Sequence, residues 1–103
     1  MDRIRKELSG TVGCRVEIRT PEVARSAAQR LAHIFNSCGY PSQIVVEESD
    51  REGVHIECSS EHAESALSIQ SAFQSADYEV TLAMHEGARR NLVVIQLPGS
   101  GIK

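Results

Sequence analysis

Tryptophan is absent and aromatic rings are scarce, with two Phe and two Tyr in 103 residues. A nucleic-acid reader that stacks bases on an aromatic platform has little to work with here. Cysteine is sparse and odd in number: Cys14, Cys38 and Cys58, with no pair at Cys-x-x-Cys spacing. Reduced thiols in a cytoplasmic protein are the expectation. No apolar run approaches the ~20 residues that cross a bilayer. The start, Met1 to Leu8, carries basic residues but no apolar h-region, so it does not read as a secretory signal. Charge of one sign is also lacking. The net charge is −3 and the pI about 5.8, unlike the basic balance of a generic nucleic-acid binder. Glycine-rich phosphate loops are missing, since neither a Walker pattern nor Gly-x-Gly-x-x-Gly occurs.

What is present is a repeat. Val16, Ile18, Ala28, Leu31, Phe35, Ser37 and Tyr40 recur 38 residues later as Val54, Ile56, Ala66, Ile69, Phe73, Ser75 and Tyr78. Self-similarity of this kind marks one supersecondary unit used twice. In the first copy, Cys14, Val16 and Ile18 alternate with Arg15, Glu17 and Arg19, the period of a half-buried strand. Thr20-Pro21-Glu22 predicts a helix start, with Thr as the capping oxygen and Pro in the first turn. Ala24, Ala28, Leu31, Phe35 and Cys38 then mark one helical face, closed by Gly39 and Pro41. A second strand is expected over 43–48. The second copy predicts a strand over 54–58, a helix capped by Ser59 or Ser60 with its face on His62, Ala66, Ile69, Phe73 and Ala76, and a strand over 79–85. A fifth strand follows over 91–97. Residues 1–13 read as a lead with a short helical stub on Ile4 and Leu8, 14–97 as one domain, and 98–103 as a frayed tail.

This order predicts an α+β chain: a ferredoxin-like βαββαβ two-layer sandwich, strand order 4-1-3-2, with an extra C-terminal strand forming a hairpin with the fourth. The RNA-recognition motif shares that topology. At its base-stacking positions this chain has Arg15, Glu17, Arg19, His55 and Glu57.

Candidate chemistry is thin. His55 and Cys58 leave opposite faces of a strand, so only Cys58 and His62 approach, and a structural zinc site wants four ligands. No thiol stands beside an evident base with a third group to orient it. The expectation is therefore no catalytic set, no cofactor and no metal. Residues 91–97 are the most apolar strand, uncharged and apolar on both sides, and such a strand needs cover on both faces. Leu92 and Val94 are accordingly expected to meet a protein partner, above all a second copy of this chain. Arg15, Arg19, Arg89 and Arg90 are candidate contacts for that partner or, in an alternative reading, for nucleic acid or another polyanion.

The stretches Ala27-Ala28-Gln29-Arg30-Leu31 to Gly39-Tyr40 and Ala63-Glu64-Ser65-Ala66 to Asp77-Tyr78 give strand, Ala-rich helix, a turn ending in Tyr, and strand, twice. Over about residues 14–84 the pattern is similar to the SPOR peptidoglycan-binding domain, with Asp77 where the first copy has Gly39. That resemblance implies the same ferredoxin-like sandwich and, as a further alternative, glycan binding.

Overall fold

A computed structural model of the chain describes residues 2–8, 14–48, 50, 52–84 and 92–99. Helix α1 spans Asp2–Leu8, β1 Val16–Thr20, α2 Arg25–Ser37, β2 Ser42–Val46, β3 Val54–Cys58, α3 Ala63–Ser75, β4 Val80–Met84 and β5 Val93–Gln96. Short 3-10 turns, Glu22–Ala24 and Ser60–His62, lead into α2 and α3. Every element from β1 to β2 therefore returns 38 residues later.

The likeness extends to atoms. Phe35 and Tyr40 stack edge to face at 5.8 Å, and Phe73 and Tyr78 do so at 5.7 Å. Each helix ends by accepting the tyrosine N–H on the phenylalanine carbonyl. The residue at each turn takes a positive φ, Gly39 at 86° and Asp77 at 66°.

The strands form one mixed sheet in the order β2-β1-β5-β3-β4. This corrects the expected ferredoxin-like order. Each helix crosses to the strand beside its own, so β1 pairs with β2 and β3 with β4, both in parallel. The fifth strand makes no hairpin with β4. It lies at the centre, parallel to β1 and antiparallel to β3. The physical reason lies in its composition. Pairing on both edges satisfies the strand's backbone groups and sets its apolar inner side chains, Val93 and Ile95, over the middle of the core. Ile95 sits between Ile18 and Ile56, and all three are fully buried. Both edges of β5 are thus paired within this chain and its inner face is buried, while Val94 on the outer face is half-buried. Because β1 and β3 run oppositely, the two βαβ units are related by a pseudo-two-fold axis through β5.

One face of the sheet carries the helices. Val16, Ile18, Val54, Ile56, Cys58, Val93, Ile95 and Leu97 point into a core shared with Ala28, Leu31, Phe35, Ala66, Ile69 and Phe73. Helix α1 joins this layer, packing on α3 and α2 with Ile4 and Leu8 fully buried. The predicted side-chain caps are absent. Strand β1 continues through Thr20, which turns its side chain into the core and donates to the Pro21 carbonyl at 2.9 Å. Ser59 is buried, and its hydroxyl has no partner among the described residues.

Candidate functional site

The open face of the sheet is set by strand alternation. Register places its side chains in two rows. Gln43, Glu17, Val94, Glu57 and Ala83 form one; Val45, Arg19, Gln96, His55 and Thr81 form the other. Equivalent repeat positions carry opposite character, Glu17 against His55 and Arg19 against Glu57. The pseudo-two-fold therefore gathers both carboxylates in one row and both nitrogen bases in the next.

Several of these groups pair with one another. Arg19 Nε donates to Glu17 Oε2 at 2.7 Å and lies 3.6 Å from Glu47 Oε2. Gln43 Nε2 donates to Glu17 Oε1 at 3.2 Å. The bond to Glu17 raises the Arg19 pKa further, so the guanidinium stays charged. His55 Nε2 lies 3.1 Å from Glu57 Oε1, while its Nδ1 is buried with no partner among the described residues. Although they point outward, Glu17 and His55 are only 5% and 8% exposed, beneath the longer side chains around them. A cavity of about 250 Å³ opens here, lined by Arg19, Glu47, Glu48, His55, Glu57, Val94 and Gln96. None of these described lining residues carries a thiol or hydroxyl.

Of the predicted site residues, Arg19 and Val94 meet in this cavity and the other described ones, Arg15 and Leu92, lie apart from it. Leu92 is 6% exposed, a buried residue leading into β5. Val94 is half-buried in the middle of the open face. Arg15 is exposed beside a depression of about 210 Å³ formed with Pro41, Ser42 and Gln43. Arg19 is engaged by carboxylates, and Arg89 and Arg90 lie outside the described residues. Burial pushes the thiols of Cys14 and Cys58 up, which keeps them protonated and weakly nucleophilic at neutral pH. Among the described residues no group of three or more His, Cys, Asp or Glu is placed to hold a metal ion, and no helix is long and apolar enough to cross a membrane.

The surface that departs most from an ordinary one is at the sheet edges. Strands β2 and β4 are the outermost, and neither contains a charge or a proline. Val45 and Val46 on β2 are 37% and 44% exposed, Met84 on β4 is 50%, and Leu67 on α3 is 47%. The reading of residues from periodicity missed these, because it followed the buried phase of each element. The signal was legible as missing charge: residues 65–76 and 80–84 carry none, in a chain that is 24% charged.

Comparison with protein-family models, with curated proteins and with solved structures finds no match. The glycan-binding alternative thus rests on the helix-and-tyrosine pattern alone, and the strand order departs from the sandwich it implies.

Proposed function

We propose that this chain is a small non-catalytic interaction or regulatory domain that acts by binding protein, with a second copy of itself as partner. The observation that carries this reading is the pair of sheet edges, β2 and β4, that no other described strand pairs. Folded domains normally blunt an edge strand with lysine, proline, a bulge or a covering segment, because its free N–H and C=O groups recruit further strands. Neither β2 nor β4 has a charge or proline, and both present partly exposed apolar side chains. On the open face Arg19 and His55 each already lie against a carboxylate, which leaves no comparable handle. The alternative partner, nucleic acid through Arg15, Arg19, Arg89 and Arg90, draws no equal support, since Arg19 already faces Glu17 and Glu47.

Sedimentation equilibrium of the full chain at micromolar concentration tests this. A dimeric mass is expected. A monomer at every concentration sinks the homodimeric reading. For the alternative, a steep loss of DNA or RNA affinity with added salt is the signature to seek.

A further inference from the structure

We propose that the cavity on the open face of the sheet binds a small organic cation, one whose charge sits on a guanidinium or primary ammonium group. The site is independent of the homodimeric reading, since it uses the face of the sheet and neither edge. Register builds its floor. Arg19, Gln96 and His55 lie side by side on β1, β5 and β3, and Val94 stands opposite Glu57 two residues further along. The segment after β2 supplies a wall. The Glu47 N–H donates to the Thr20 carbonyl at 2.8 Å, and Glu48 Oε1 accepts the Glu22 N–H at 3.4 Å.

Charge sets the sign of the ligand. The lining holds three carboxylates, of Glu47, Glu48 and Glu57, against one guanidinium, that of Arg19. Arg19 is in turn shared between Glu47 and the buried Glu17. A cation entering here relieves the repulsion among the carboxylates, and an anion adds to it. Surface carboxylates are commonplace, and it is His55 that singles this group out. It lines the cavity, its side chain is only 10% exposed, and its Nδ1 is buried with no partner among the described residues. An ionised carboxylate only accepts, so the neutral ring donates from Nε2 to Glu57 and keeps a lone pair on Nδ1. A buried acceptor without a donor is costly, and a ligand N–H removes that cost. Gln96 donates its amide to the Arg19 and Leu97 carbonyls, which leaves its Oε1 as a further acceptor. The cavity therefore suits a cation rich in N–H donors. Its volume of about 250 Å³ falls below the ~300 Å³ at which pockets for drug-sized ligands begin, so the ligand has few heavy atoms. Val94 offers a methyl or methylene an apolar contact. Among the described residues no three His, Cys, Asp or Glu converge as metal ligands, whereas the spread donors of a guanidinium reach acceptors that stand apart.

The test is an NMR titration of the full-length, 15N-labelled chain with methylguanidinium, with tetramethylammonium, which has charge but no N–H, and with acetate. Methylguanidinium is expected to bind saturably, at least about tenfold more tightly than tetramethylammonium, and to shift the His55 Nδ1 resonance while Nε2 stays protonated. Acetate is expected to do nothing. Glu48→Gln should weaken methylguanidinium about tenfold, and Glu52→Gln, an exposed acid outside the cavity, should leave it unchanged. Amide spectra confirm that both variants fold. An unstructured peptide with a single arginine separates the sources of the group. Tighter binding than methylguanidinium assigns the site to a partner's side chain, weaker binding to a free small molecule, and either supports a cation site. Equal binding of tetramethylammonium, binding of acetate, no saturable binding of methylguanidinium or the peptide, or a free protein with both His55 nitrogens protonated each overturns the proposal.

Discussion

Two glycines and one aspartate show what single residues contribute. Gly39 and Gly53 both hold φ in the left-handed region, at 86° and 75°. A Cβ on Gly39 would meet nothing within 4 Å, whereas one on Gly53 would lie 2.9 Å from the Glu79 carbonyl oxygen. Gly39→Ala should therefore cost about 1 kcal/mol, the backbone penalty alone. Gly53→Ala should cost clearly more, because the Glu79 carbonyl accepts the Val54 N–H and cannot withdraw freely. Gly39→Asp should recover much of the loss, since Asp77 holds the equivalent position at 66°. Urea midpoints measure all three; equal losses for the two alanine variants would contradict the steric argument. The Glu17–Arg19 pair makes a second case. Glu17 is 5% exposed, so removing Arg19 leaves a buried carboxylate with reduced compensation. Arg19→Met should cost about 2–3 kcal/mol, and Glu17→Gln in that background should return part of it. A double variant no more stable than Arg19→Met would show that the pair is not coupled.

Helix α1 is the element that its sequence understates most. Seven residues form no stable helix alone. Yet Ile4 and Leu8 are fully buried against the helical layer, so the expected polar lead is part of the core. Leu8→Ala should cost about 2–5 kcal/mol, the range for a buried leucine, read from thermal or urea unfolding. A loss under about 0.5 kcal/mol, the scale of surface changes, would mean that α1 is not held. Its face was legible because Ile4 and Leu8 lie one turn apart. The same spacing logic located both βαβ units, with boundaries displaced by a residue or two. Sheet order was not legible. Alternation says which side of a strand is buried, not which strand lies beside it. The run from Leu92 to Ile95 satisfies the same pattern at a dimer interface or at the centre of its own sheet. The structure places it at the centre, where it fills the free edges of β1 and β3. At the candidate site the outward phase of Glu17, Arg19, His55 and Glu57 was readable, but their pairing required the register that β5 imposes.

At the scale of the whole molecule, the repeat poses the question of whether two halves are two folding units. Each βαβ unit has its own helix and aromatic pair, which favours independence. Strand β5 argues the other way. It belongs to neither repeat, comes last in the chain, and bonds to both. Helix α1, at the opposite end of the sequence, also packs on both α2 and α3. Sharing of this kind makes unfolding of one half expose core surface of the other, the condition for a single cooperative transition. The chain carries its own reporters, because Tyr40 and Tyr78 are its only tyrosines and each belongs to one half. In a urea titration followed by NMR, their ring signals should disappear at the same midpoint. Ile95→Ala, at the fully buried centre of β5, should move both midpoints down together by about 2–5 kcal/mol of stability. Two separated midpoints, or a shift in only one tyrosine, would show that β5 merely fills a gap between self-sufficient units.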